Sequence, residues 1–225
     1  MSLLSSIVTS LTNPHVALLD ALERTMTVRD RSMNEHGHRV RQYALALAIE
    51  AGITDVATTD AIAAAAVLHD IGKLAIPDQI LQKPGPLSRD EYELVKQHSV
   101  IGADLLGAMA LAAPMAIFVR HHHENWDGTG YPDRLRGDNI PLGARVLAIA
   151  DCYDALTSDR PYRPALSHAR ATTLIEDQVG TMYDPQLALV FLRSIQPIHV
   201  RSARERTAVI SVPAPQSWMP QARTV

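Results

Sequence analysis

The chain has 225 residues, room for one fairly large domain with a full core or at most two small ones. Hydrophobic residues make up 47% of it and charged residues 20%, with few aromatics, which excludes a wholly disordered chain and fits a globular protein built largely from Ala- and Leu-rich helices. Lys and Arg total 21 against 24 Asp and Glu, a near balance that excludes the basic footprint of a polymeric nucleic-acid binder and leaves a small anionic ligand open.

The N-terminus opens Met1-Ser2-Leu3-Leu4 without a basic segment, so no secretory signal is expected. Asn13-Pro14 reads as an N-cap followed by a proline at the first helical position, and Val16, Leu19, Leu22 and Met26 then recur at helical spacing. A second helix is predicted from about His36, burying Val40, Tyr43, Leu47 and Ala51 and stopping at Gly52. Thr59-Asp60 begins a third, alanine-rich helix that ends near His69. After a loop broken by Pro77, Pro84 and Pro86, Ser88-Arg89-Asp90-Glu91 is a capping box for a fourth helix through His98. The uncharged run Leu105 to Val119 is broken by Pro114 and falls short of the ~20 residues a membrane span needs, so it reads as two buried helix ends. Pro114 opens the fifth helix, and Pro141 the sixth, which carries Asp151 and Asp154. Two shorter helices, about Ser167 to Val179 and Pro185 to Ile195, close an all-α bundle. The tail beyond Pro197 is expected to be loosely held, apart from a short strand at Thr207 to Val212. Cys152 cannot pair within the chain and lies in the apolar run Val146 to Leu156, which points to a buried structural role and a reducing compartment, the cytoplasm by default.

The chemistry gathers around Arg120 to Pro132, R-H-H-H-E-N-W-D-G-T-G-Y-P. Three adjacent histidines diverge by about 100° each on a helix, but at a fraying helix end two of them can converge on one ion. Alone, the run is equally a polar helix end. The glycines that follow allow positive φ and close backbone approach, a way of shaping chain around a ligand. His69-Asp70 ends an otherwise apolar helix, A-A-A-V-L-H-D-I-G-K, so the pair is expected to be at least partly buried, where an unpaired charge is costly. A His–Asp hydrogen bond would account for that doublet by itself. A metal centre accounts at once for the doublet and for His36, His98, His122, His123 and Asp151 at the ends of other apolar helices.

These motifs together resemble the HD-GYP family, a branch of the HD phosphohydrolase superfamily. The resemblance runs in register from about Thr27 to Leu192, through E-H-G-H-R-V, L-H-D-I-G-K, K-Q-H, H-H-H-E-N-W-D-G-T-G-Y-P and I-A-D-C-Y-D-A-L-T-S-D-R-P-Y-R. It implies a helical bundle with the metal site at its centre, divided as a lead-in over 1–26, a catalytic domain over 27–196 and a tail over 197–225. The activity it implies is metal-dependent hydrolysis of the bacterial second messenger cyclic di-GMP to linear pGpG, or onward to GMP. By the same resemblance the metal ligands are His36, His69, Asp70, His98, His122, His123 and Asp151, with Asp70 the bridging carboxylate and a participant in catalysis. Lys73 matches a lysine that contacts the scissile phosphate, although on the residues alone it is an exposed lysine at a helix end. Arg160 and Arg163 match ligand-contacting positions, where an arginine fork grips phosphate or a guanine edge. Asp154 is placed with them at the substrate or as the residue that orients one of them. Trp126 and Tyr131 either stack on a guanine or anchor their loop.

Imidazole and carboxylate donors without thiolate suit iron, manganese or zinc, and the resemblance favours the first two. Two ions about 3.5–4 Å apart lower the pKa of a shared water from 15.7 toward ~7, giving a bridging hydroxide that needs no protein nucleophile. Members with three metals carry a glutamate one helical turn before the first histidine ligand. Here that position is Ser32, a neutral and weak donor, and Glu35 points about 100° away, so two ions are expected. Only a short segment precedes the match, so no fused sensor is expected. Two other readings stay open: a non-hydrolytic cyclic di-GMP receptor that meets a protein partner through the 126–132 loop, and a phosphohydrolase of another nucleotide. A homodimer is also open. His15, His168 and His199 are read as surface histidines, and His38, about 200° round the helix from His36, stays outside the site.

Overall fold

The computed structural model describes residues 14–108, 113–159 and 163–203, with side chains from 19 to 195 within those segments. It is all-α: α1 (Pro14–Arg29), α2 (Arg31–Glu50), α3 (Val56–Leu68), α4 (Asp78–Leu81), α5 (Arg89–Gly107), α6 (Ala113–His121), α7 (Leu142–Thr157), α8 (His168–Glu176) and α9 (Pro185–Ala203). Among the described residues no strand forms beyond one isolated bridge between Val179 and Tyr183. None of the described helices is long and apolar enough to cross a membrane.

Helix boundaries follow caps that bond locally. Ser88 and Glu91 form the capping box that opens α5, each side chain accepting from the other's backbone N–H. The second helix starts earlier than its apolar spacing suggests, at Arg31, because Asp30 accepts the N–H of Ser32 at 2.8 Å. His36 therefore lies inside the helix, one turn from its start. The third also starts early, at Val56, where Asp55 accepts the N–H and hydroxyl of Thr58. The end of α2 comes where expected. Gly52, at φ 75°, donates to Ile49 O while Ile53 donates to Ala48 O, the paired bonds of a Schellman motif. The last helix continues through Pro197 to Ala203, losing one backbone bond there without ending. The strand expected at Thr207 to Val212 lies outside the described residues.

The core runs through α2, α3 and α5 to α9. Val40, Leu47, Ile62, Leu106, Val119, Leu147 and Phe191 are buried in it, and Tyr153 at its centre meets Tyr43 and Phe191 edge-on. Leu105 and Ile117, read with their neighbours as buried, instead face outward, because only one side of α5 and of α6 meets the core. Cys152 is half-buried against the core rather than enclosed. Met26 is buried under α1, and Arg29 at its end ties the first helix to the Ile71–Ala75 turn by donating to Leu74 O, Ile76 O and Asp78.

Two close approaches set the site. A Cβ on Gly37 would stand 2.7 Å from Val67 O, so α2 lies directly on the end of α3. After α3 the chain tightens into a 3-10 turn, Ile71–Ala75, and a Cβ on Gly72 would stand 1.9 Å from His98 O. Only glycine admits that contact, which sets Asp70 beside His98.

Candidate metal centre

The bundle brings seven side chains from five segments to one place. His69 and Asp70 end α3, only 2% and 5% exposed. His36 comes from α2, Asp151 from α7 and His98 from α5. The histidine run divides where α6 ends: His121 turns outward to Asp133 at 2.9 Å, while His122 and His123 turn inward with ring centroids 4.0 Å apart.

Two outer ligand sets result, joined by a third of His69, Asp70 and His122. His36, His69 and Asp151 form one, with His36 Nε2 at 3.1 Å and His69 Nε2 at 3.8 Å from Asp151 Oδ1. His98, His122 and His123 form the other. Asp70 stands between them, one oxygen 3.6 Å from His69 Nε2 and the other 3.6 Å from His98 Nε2. In three of these rings the nitrogen facing away is already engaged by the ring's own helix. Nδ1 donates to the carbonyl three residues back in His69 (Ala66, 2.9 Å), His98 (Val95, 2.7 Å) and His122 (Val119, 2.6 Å). That fixes each tautomer, so a lone pair on Nε2 points into the centre.

These donors fit divalent ions on their own geometry. The buried Nε2 of His69 has no hydrogen-bond partner. The Nε2 atoms of His98 and His122 face one another at 3.4 Å, and two lone pairs so placed repel unless a cation lies between or beside them. The chain thus has the donors for divalent metal: five imidazoles and two carboxylates.

Protonation is set by burial and then by neighbours. Burial together with the adjacent His123, His69 and His98 holds His122 far below the usual imidazole value, and His123 is lowered to about 3, mainly by burial. His98 is lowered in the same way. His36 goes the opposite way. Burial opposes its charge, but hydrogen bonds to Asp151 and Asp154 outweigh that and raise it to about 9. Asp70 and Asp151 stay ionised despite burial, because Lys73 and the histidines around Asp70, and His36 and His69 around Asp151, hold them below the usual carboxylate range.

The remaining candidates are placed as follows. Lys73 is half-buried at the rim, its Nζ 2.6 Å from Asp70 Oδ2. Tyr131 stacks on His123, centroids 4.8 Å apart and planes at 29°, beyond a cis Tyr131–Pro132 bond. Trp126 anchors its loop: its N–H donates to Met182 O at 3.1 Å and Arg145 lies over its ring. Asp154 is not at a substrate surface. It is 1% exposed, and both its oxygens are taken, by Arg39 and by His36 Nδ1; among the described residues the arginine it holds is Arg39 and not Arg163. Arg163 turns one guanidinium nitrogen back to donate to Ala155 O at the end of α7. Arg160 lies outside the described residues. His38 faces α1, at 2.8 Å from Glu23, and His168 is half-buried with its Nδ1 3.0 Å from the Tyr153 hydroxyl, so it is no simple surface histidine. His15 and His199 have no described side chains. Ser32 bonds Asp30 and Glu35 bonds Arg31, both at the exposed face of α2.

Two residues that lie among the motifs without marking themselves as site residues are Arg39 and Glu124. Arg39 follows His36 by three residues and so shares its helix face, a spacing that carried the signal. Glu124 is buried and accepts the N–H groups of Asp133 and Leu135, holding the Gly-Tyr-Pro loop against the histidines. It follows the histidine run directly, but nothing in the sequence says which backbone it meets.

The helical bundle with this split, carboxylate-bridged set of histidines defines an HD-type domain, and residues 20–187 match the model of the HD domain family. The chain belongs to that family, in the branch marked by the Gly130-Tyr131-Pro132 loop. It is 37% identical over 199 residues to a cyclic di-GMP phosphodiesterase of Thermotoga maritima, covering 85% of this chain and 53% of the relative. It is also 37% identical over 176 residues to the 3'3'-cGAMP-specific phosphodiesterase 2 of Vibrio cholerae, covering 76% of this chain and 33% of that one. The structure of an HDG"Y"P protein from Bdellovibrio bacteriovorus superposes with a TM-score of 0.60 at 26% identity, covering 73% of this chain and 52% of the other. The chain therefore spans about half or less of these relatives.

Proposed function

We propose that this chain is a metal-dependent phosphodiesterase that opens cyclic di-GMP to linear pGpG. The observation that carries the reading is Asp70, one carboxylate presenting an oxygen to each of two imidazole sets. When bound there, a pair of divalent ions, iron or manganese by resemblance, would supply water activation and neutralise charge on the phosphoryl group. His36, His69 and Asp151 would hold one ion, His98, His122 and His123 the other, and Asp70 both. Hydrolysis adds water to phosphorus and breaks one P–O3′ bond, leaving a 5′-phosphate and a free 3′-hydroxyl. Lys73 is the cation at the rim. Its side chain is 28% exposed, so the ammonium can leave one carboxylate oxygen to meet a phosphate, and a charged contact of that kind is worth more in a half-buried site than in water. Tyr131 covers the outer face of His123 and would wall the substrate side of that ring.

The carboxylates near Ser32 are committed elsewhere, Asp30 to capping α2 through Ser32 and Glu35 to Arg31 at the exposed face, which supports two ions rather than three. Such a centre is expected to stop mainly at the linear dinucleotide. The relative named for 3'3'-cGAMP, as similar in identity as the one named for cyclic di-GMP, favours a second reading in which the mixed dinucleotide is cut instead. Chromatography of products from iron- or manganese-loaded protein, given each cyclic dinucleotide in turn, tests both. Formation of pGpG from cyclic di-GMP above a metal-stripped control is expected. Tight binding without turnover would overturn it in favour of a receptor, and cleavage confined to the mixed substrate in favour of the second reading.

A further inference from the structure

We infer that Arg39, acting through Asp154, is the positioning residue for one half of the metal centre and not for the other. Three of the inward-facing histidines are oriented by their own helices, since His69, His98 and His122 each donate Nδ1–H to the carbonyl three residues back. His36 is not. Its Nδ1 donates to Asp154 Oδ2 at 2.7 Å, on a helix 118 positions away in sequence. Asp154 could turn freely about its own side-chain bonds, but Arg39 closes on it with two bonds, Nε to Oδ1 at 2.7 Å and Nη2 to Oδ2 at 3.0 Å. A planar fork gripping both oxygens fixes the carboxylate plane. The fixed plane in turn sets the imidazole, so that His36 Nε2 faces Asp151 at 3.1 Å.

Arg39 also supplies the charge that makes the arrangement tenable. Asp154 is buried, and a buried carboxylate without a compensating cation is strongly destabilising. Arg39 supplies that cation permanently and at contact distance. Arg39 and His36, three apart on α2, reach the same carboxylate from one helix, so the relay also registers α2 against α7.

The inference rests on the metal reading of the two ligand sets and not on the identity of the substrate. Its test is therefore metal binding, read without turnover. Metal-stripped protein titrated with Mn(II) in a calorimeter, with elemental analysis after dialysis, should give two ions for the unchanged chain. Arg39→Ala should weaken one of the two sites about 10- to 100-fold, the range for loss of a group that orients a ligand, and leave the other within about twofold. Anomalous scattering should show occupancy lost beside His36, His69 and Asp151 and kept beside His98, His122 and His123. Arg39→Lys keeps the charge without the fork, so it should lie between the two and serves in place of the alanine variant if that does not fold. Asp154→Ala combined with Arg39→Ala should be no worse for that site than Asp154→Ala alone. Equal weakening of both sites, or loss of thermal stability with both affinities unchanged, overturns the inference. A protein that binds two ions as expected but cleaves no cyclic dinucleotide would instead sink the proposed activity and leave this inference standing.

Discussion

The two halves of the centre are built in opposite ways. On the α5 and α6 side, His98 and His122 are oriented by carbonyls of their own helices, so helix formation alone aims them. On the α2 and α7 side, His36 and Asp151 face each other from distant segments, and His36 depends on Asp154 and Arg39 to hold its ring. Local geometry aims His98 and His122, whereas long-range packing aims His36. Asp70 joins them, placed by the tight approach of the 3-10 turn to α5. It follows that damage to packing should fall first on the His36 half and damage to α6 on the His122 half, while only Asp70 and its turn concern both.

The largest effect is expected from Asp70→Ala, which removes the shared carboxylate. Activity should fall at least about a thousandfold, ~4 kcal/mol at the barrier, and elemental analysis should show neither ion well held, with the helical circular dichroism unchanged. Residual binding of two ions would contradict the bridging role. Next, His122→Ala and His123→Ala should each empty the α5 and α6 half and reduce activity about a hundredfold or more, as measured by pGpG formation, while the ion beside His36 is retained. Gly72→Ala strikes the junction: a methyl group 1.9 Å from His98 O forces the turn from α5. Overpacking of this kind costs about 1–3 kcal/mol, so the melting temperature should drop along with metal affinity in both halves.

The halves should also answer pH in opposite senses once metal is stripped by chelation. His123 is lowered to about 3 and His122 also lies far below its unfolded value, so as pH falls below ~6.5 the unfolded chain takes up protons that the fold refuses. Stability therefore declines on acidification. His36, raised to about 9, contributes stability that is full below ~6.5 and is lost as pH rises through about 9. Melting temperatures of the metal-free protein from pH 5 to 9.5 should fall at both ends. His36→Ala should flatten the alkaline limb alone, and a variant that flattened the acid limb instead would refute the assignment. The smallest effect belongs to His121→Ala. This ring meets Asp133, which Arg120 already holds by two bonds, so less than about a fivefold change in activity is expected, in keeping with the ~0–1 kcal/mol of a partly exposed pair. Damage equal to that of His122→Ala would show that the triplet divides differently.

Much of this was legible in the sequence because it is local. Capping pairs, prolines and helical spacing determined the helices, as at Ser88 and Glu91 or at Gly52. Where a cap competed with the apolar pattern, as Asp30 and Asp55 did, the cap decided the start, because its bond satisfies a backbone donor that burial further along cannot. The order of histidines and aspartates along the chain determined the family and the type of donor. Only the tertiary structure decided which donors stand together, for the pairing of His36 with Asp151 and of Asp70 with His98 depends on how closely α2, α3, α5 and α7 approach. It also decided that Asp154 serves His36 and Arg39 instead of a ligand, and that Arg163 donates to a helix end. A side chain with several possible partners takes the one that burial leaves within reach, and periodicity along a single helix carries no record of that choice.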